Sequence, residues 1–272
     1  FSFIFFIFLY IIKSYFSFRN ERKQDFYQLI LTNKCNLSCP ICFVNANKYK
    51  YEESSLDFIK NKLKQFKNKK IGLFGGEPTL RKDLFEIIKL IKESNNVPLL
   101  FTNGIKLSDP NYMKRIKDSG VNEIHLQFDG FCEKGYKKMR GKDLTQQKKL
   151  ALENLKKNDM PTVLESTHVK DVNEQEINRI FEFALKNNFI HGIVFRPYSF
   201  IGRKEIEYSS YDIEDIMNNL GKKQKISLEN IDRFQKVFYF MGNFFKVKKC
   251  FYNKYYPIFR TKNGYKTVDE II

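Results

Sequence analysis

The feature that most restricts this chain is an alternation. From Phe26 onward, short runs of β-forming residues take turns with segments whose apolar residues recur at helical spacing. The strand-like runs are 26–32, 71–74, 97–101, 121–128, 161–169 and 192–200. Between the first two, Leu56, Ile59, Leu63 and Phe66 fall on one helical face, and Ser54 or Ser55 can cap its start. Asp109-Pro110 reads as a cap followed by a first-turn proline. Thr145 is placed to cap the segment carrying Leu150, Leu152 and Leu155, and Asn173 with Glu176 has capping-box spacing. Strands alternating with helices call for a parallel sheet, and six of them suffice for a partial (β/α)6, TIM-like barrel of the α/β class. The tail beyond Gly202 breaks the pattern. It is rich in Lys, Tyr and Phe, and segments 211–220 and 229–240 read as a helical C-terminal extension.

Composition bears on partners. With 42% hydrophobic residues the chain is too apolar for a disordered one, and 272 residues can enclose a substantial core. The net charge of +17 is spread among Asn, Ile and Phe rather than gathered in one block. No RNA-binding module is recognisable, so no nucleic-acid partner is expected. The chain opens at Phe1, not Met, with FSFIFFIFLYII. This run falls short of the roughly 20 apolar residues that span a bilayer. It reads as a membrane-proximal segment of a chain whose start is missing, or as a signal-like leader. The expected layout is an apolar leader over 1–20, a core over 25–203 and an extension over 204–272. The expected location is the cytoplasm, with membrane contact through residues 1–18.

Five cysteines, three of them tightly clustered, do not make a disulfide framework and suit a reducing compartment. Cys35, Cys39 and Cys42 follow the first strand with spacing Cys-x-x-x-Cys-x-x-Cys. Three thiolates can hold three corners of a cubane iron–sulfur cluster, leaving one iron open to a small molecule. Other readings stand beside this one. A structural zinc site wants a fourth ligand, and a four-cysteine ferredoxin site lacks its last one. Cys39-Pro-Ile-Cys42 alone resembles a thiol–disulfide pair, which leaves Cys35 unexplained. Cys132 and Cys250 read as ordinary buried thiols. The second strand ends in Gly75-Gly76-Glu77-Pro78. Glycines there let a ligand approach the backbone, and the carboxylate can accept hydrogen bonds from a ligand ammonium group. His125, His168 and His191 lie on or beside strands, and His168 is near enough to a strand's C-terminal end to face a pocket.

CNLSCPICF followed by GGEPTLRKDL resembles the core of the radical S-adenosylmethionine (SAM) superfamily, from about Phe26 to Arg203. The resemblance implies a [4Fe–4S] cluster on Cys35, Cys39 and Cys42, and SAM as second cofactor. It implies that Gly75, Gly76, Glu77 and Pro78 hold the methionyl amino group. Thr102, Asn103 and Gly104 would line the SAM pocket, and Gln127 and Asp129 would lie near the ribose. Arg140 matches an Arg-Gly pair common after the fourth strand, and Arg196 is a further candidate. Ile41 stands where many members carry an aromatic residue near the adenine. Longer stretches, among them FTNGIKLSDPNYMKRIKDSGVNEIHLQFDG and FRPYSFIGR, resemble one branch, which holds archaeal tetraether lipid synthases and a methylpterin methyltransferase. Those relatives carry additional cysteines for extra metal sites, which two cysteines here cannot replace.

The chemistry so implied is reductive cleavage of SAM to methionine and a 5′-deoxyadenosyl radical, which abstracts hydrogen from a small-molecule or lipid substrate on the way to C–C bond formation or methylation. An electron donor such as ferredoxin or flavodoxin would supply the electron. The competing functions are a radical SAM enzyme acting on a peptide or RNA, and an iron–sulfur electron carrier or thiol–disulfide protein without SAM turnover.

Overall fold

A computed structural model describes residues 26–48, 52–198, 202–205, 215, 216, 220, 258–261 and 264–267. The apolar leader, Cys250 and the segment 229–240 lie outside the described residues, as does most of 211–220.

Six strands form one parallel sheet: β1 (Phe26–Thr32), β3 (Lys70–Gly75), β4 (Val97–Thr102), β5 (Glu123–Gln127), β6 (Thr162–His168) and β7 (Ile190–Pro197). Their spatial order is their chain order. A parallel crossover is almost always right-handed, so an order that never reverses keeps the crossover helices on one face and curls the sheet around the other. The result is the open barrel expected from the alternation. Two further strands of two residues each, β2 (Ile41–Cys42) and β8 (Arg203–Lys204), pair antiparallel with each other. A C-terminal hairpin joins β9 (Ile258–Thr261) to β10 (Gly264–Thr267).

The helices are α1 (Leu56–Leu63), α2 (Leu84–Glu93), α3 (Pro110–Ser119), α4 (Glu133–Arg140), α5 (Thr145–Lys157) and α6 (Glu176–Leu185). All but α4 cover the sheet face made by Ile71, Leu73, Leu100, Ile124, Leu126 and Leu164, all at most 1% exposed, while α4 packs by Tyr136 and Met139 against Leu37 and Ile41 of the cysteine loop. From α2, Leu84, Ile87, Ile88 and Ile91 meet that face without residual exposure. Each such side chain contributes roughly 1.5–3 kcal/mol on burial, so this layer dominates the stability of the fold.

Two expected caps form as read. Ser55 accepts from the Phe58 amide at 3.2 Å, and Asp109 accepts from the Asn111 amide ahead of Pro110. Two do not. Thr145 is the first residue of α5 rather than its cap, and its amide and hydroxyl both donate to Asp143. Asn173 and Glu176 make no capping box. Both are buried and turn inward, where Asn173 donates to the Asp129 and Thr167 carbonyls, and Glu176 accepts from the Phe131 amide. The β5–α4 loop needs those partners more than the helix start does, because its own backbone groups are buried.

Candidate active site

Everything the cysteine motif touches lies at the C-terminal ends of the strands. The loop after β1 carries Cys35, Cys39 and Cys42, and β2 ends at Cys42. Asn47, in the left-handed region at φ 67°, pins this loop: its side chain accepts from the Cys35 amide at 2.8 Å and donates to the Cys35 carbonyl at 3.0 Å. Arg203 on β8 donates to the carbonyls of Cys39 and Ala46 from 164 and 157 residues further along the chain. A side chain on Gly202 would run into the Cys42 and Phe43 carbonyls.

Gly75, the last residue of β3, and Gly76 beside it also lie close against the loop after β1. A Cβ on Gly75 would collide with the Thr32 carbonyl, and one on Gly76 with those of Asn33 and Lys34. The Gly76 and Glu77 amides donate to Thr32 and Lys34, both at 2.8 Å. This close packing of backbone on backbone sets the stem of the cysteine loop. Pro78 is buried and starts a single helical turn.

Glu77, 1% exposed, links β3 to β4. One of its oxygens accepts from the Thr79 amide and hydroxyl and from the Thr102 hydroxyl at 2.7 Å, and the other from the Asn103 amide at 2.7 Å. Asn103 in turn donates to Asn36 at 2.7 Å, and its amide nitrogen lies 3.9 Å from the Cys35 sulfur. Gly104 adopts φ 77°, with Leu126 filling the space a side chain would need. At the end of β5, Asp129 takes a bidentate ion pair from Arg140 (2.7 and 2.9 Å) and donors from Gln127 and the Thr167 amide. Burial opposes the Arg140 charge, but Asp129 and Cys39 beside it outweigh that, and its pKa is raised.

Sequence reasoning missed the residue that joins these strand ends. Lys148 is 1% exposed, and its ammonium donates to the Asn103 carbonyl at 2.6 Å, the Gln127 side chain at 2.8 Å and the Gln127 carbonyl. Burial pulls its pKa down to about 7. The signal was present: Lys148 shares one helical face with Ala151, Leu152 and Leu155, where a lysine has no business unless it is paired. Arg203 and Asn47 were also missed, since neither stands in a pattern.

Of the expected site residues, the three cysteines, 75–78, 102–104, Gln127, Asp129 and Arg140 thus belong to one connected network. Arg196 does not. It points onto the concave face of the sheet and pairs with Glu165. His168 is fully buried among the helix-facing residues and not in the pocket, with Nε2 2.9 Å from the Ser166 hydroxyl. Ile41 is buried against Met139 and Val172, while Phe43 is 65% exposed. Cys132 is a half-buried free thiol at the start of α4.

The donor set suits an iron–sulfur cluster. Burial pushes the Cys35 thiol up to about 12, with the Leu37 amide partly offsetting it and Glu77, Cys39 and Cys42 adding to it. Cys39 is raised by burial against the pull of Arg140. Such thiols stay protonated until a metal supplies positive charge. Donors already aim at the sulfurs: the Leu37 amide at Cys35 (3.4 Å), the Ala46 amide at Cys42 (3.3 Å) and Arg140 at Cys39. Hydrogen bonds of this kind stabilise and tune cluster thiolates. Among the described residues, no three Cys, His, Asp or Glu side chains converge on a site for one metal ion. A cubane asks for less convergence, because each thiolate binds a different iron.

Comparison with known proteins agrees with this geometry. Residues 29–184, more than half of the chain, match the Radical SAM superfamily. A 7,8-dihydro-6-hydroxymethylpterin dimethyltransferase of Methanocaldococcus jannaschii is 44% identical over 182 residues, covering 64% of this chain and 36% of that protein. A GTP 3′,8-cyclase of Nautilia profundicola is 30% identical over 218 residues, covering 75% of this chain and 66% of that protein. The chain therefore spans about a third of the first relative's length and two thirds of the second's. Among solved structures, Streptococcus suis SuiB bound to S-adenosylmethionine shares the fold with a TM-score of 0.61 at 20% identity, over 73% of this chain and 46% of that one. The chain belongs to the radical SAM superfamily, whose members use a [4Fe–4S] cluster and S-adenosylmethionine.

Proposed function

We propose that this chain is the catalytic core of a radical SAM enzyme acting on carbon in a small molecule, by methylation or C–C bond formation. The observation that carries the reading is the single hydrogen-bonded network running from the cysteine loop through Glu77, Asn103, Lys148 and Gln127 to Asp129 and Arg140. In this reading Cys35, Cys39 and Cys42 hold the cluster. Residues 75–78 and 102–104, with Gln127 and with Asp129 held by Arg140, receive SAM. Bound there, the cluster and SAM would supply a radical able to take hydrogen from the substrate, with the electron coming from a ferredoxin- or flavodoxin-like donor. The residues themselves do quieter work. Glu77 and Lys148 lock the ends of β3, β4 and β5 in register, so the bound cofactor meets preorganised groups rather than mobile ones.

Methyl transfer to a pterin-like ring is the finer reading, supported by the M. jannaschii relative. The ionic groups Glu123, His125, Glu165 and Arg196 on the concave face support it over a lipid chain. Among the described residues no helix is long and apolar enough to cross a membrane.

The test is anaerobic. The protein is reconstituted with iron and sulfide, reduced and given SAM, with 5′-deoxyadenosine and the cluster's EPR signal as readouts. Deoxyadenosine formation with an EPR change on adding SAM is expected, and Cys35→Ala should abolish both. A cluster indifferent to SAM would leave an electron carrier instead.

A further inference from the structure

The face of the sheet turned away from the helices is not filled as barrel interiors usually are. Layers of branched apolar side chains close most such interiors. Here the positions alternating with the buried Ile124 and Leu126 on β5 are Glu123 and His125, and Glu165 follows on β6 and Arg196 on β7. These four form a continuous ladder. Glu123 lies 3.1 Å from His125 Nε2, Glu165 lies 2.7 Å from His125 Nδ1, and the other Glu165 oxygen pairs with Arg196. Phe101 on β4 stacks on the His125 ring at 4.0 Å and 18°, and Phe74 on β3 meets Phe101 edge-on at 5.7 Å.

Nothing in the fold requires these charges. Half-burying ionic groups in a sheet interior gains little stability over apolar residues of the same size. The ladder is also asymmetric: Glu165 and His125 are 10% and 15% exposed, while Arg196 is 57% exposed. Its open end adjoins the proposed SAM network. Glu165 is the register partner of Gln127, and Arg196 that of Thr167, whose amide donates to Asp129.

We propose that this ladder is the substrate site, and that it takes a planar heteroaromatic ring by a lactam edge. The inference deepens the reading above and rests on it. Arg196 has N–H groups for a ring carbonyl. The Glu165 carboxylate accepts from ring N–H or amino groups, a charge-assisted bond in a half-buried setting. Phe74 and Phe101 offer an aromatic and apolar wall for the body of the ring. An alkyl chain would leave Arg196 and Glu165 desolvated without new partners, and a bare anion would face two carboxylates as well as the arginine. A fused ring with both donors and an acceptor on one edge meets neither obstacle.

The probe is 6-hydroxymethylpterin, titrated by its own fluorescence against the anaerobic, cluster-loaded protein, with vesicles of dioleoylphosphatidylglycerol titrated in parallel. The pterin should bind the native protein, and Arg196→Gln and Glu165→Gln should each weaken it at least tenfold while the cluster's visible absorbance reports an intact fold. Unchanged affinity in both variants would overturn the proposal, as would a native protein that binds the vesicles and not the pterin. Failure of the radical SAM reading shows up separately, as absent deoxyadenosine formation, and leaves the pterin titration readable.

Discussion

The two faces of this sheet treat the same residue type in opposite ways. His168, on the helix-facing side of β6, is fully buried, and burial pulls its pKa down to about 4. His125, on the concave side of β5, is also largely covered, yet its pKa is raised: burial works against the charge, but hydrogen bonds with Glu123 and Glu165 outweigh it. Burial alone therefore does not decide ionisation; the partners on that face do. One face is built to exclude charge and hold the fold together. The other keeps charge near the strand ends where a substrate would lie.

The contrast can be broken most directly by removing bulk. Leu164→Ala, on the helix-facing side, should destabilise the protein by about 3 kcal/mol, from lost transfer energy and a residual cavity. Val163→Ala, one residue away and half-buried on the concave side, should cost less than about 1 kcal/mol. Urea unfolding of the cluster-loaded protein measures both, and equal losses would end the distinction between the faces.

A smaller effect sharpens it through pH. His168 is neutral in the folded chain and takes up a proton on unfolding between its folded value of about 4 and the ordinary histidine value of about 6.5, so its contribution is full above that value and fades as pH falls. Between pH 6.5 and 5 the native protein should lose about 2 kcal/mol that His168→Gln does not lose. His125 has the opposite sign. Its raised pKa adds stability below pH 6.5, which is lost as pH rises through the folded value. His125→Gln should therefore flatten the alkaline side of the stability profile. Parallel pH profiles for the two variants would contradict the assignment of faces.

The smallest effect is expected at the mouth of the ladder. With its arginine 57% exposed, the Glu165–Arg196 pair should contribute no more than about 0.5 kcal/mol, so Arg196→Gln should unfold at nearly the native urea concentration. A large loss there would make the ladder structural.

All six long strands were legible in sequence because hydrophobic period is a local property, and most bounds fall within two residues of those expected. The last strand is the largest shift: Ile190, not Gly192, begins β7, because the Thr162 amide pairs with Phe189 and draws the preceding residues into the sheet. Helix α4 was passed over, since EKGYKKMR is nearly all polar and its buried residues are Gly135, Tyr136 and Met139. The pairing of β2 with β8 could not be read at all, because each strand has two residues and their partners lie some 160 positions apart.

The sequence by itself determined the open barrel, the three-cysteine loop and the strand ends around it, because spacing along the chain carries that information directly. Only the tertiary structure decided what those residues do to one another. It made Gly75 and Gly76 contacts for the loop's own backbone, turned the Glu77 carboxylate to four protein donors, and buried Lys148 between two strand ends. It also placed Arg196 with Glu165 on the concave face, apart from the network around Asp129. The physical reason is common to all of these. A buried polar group must find its partner in space, and that partner is set by how distant segments pack rather than by the residues beside it in the chain.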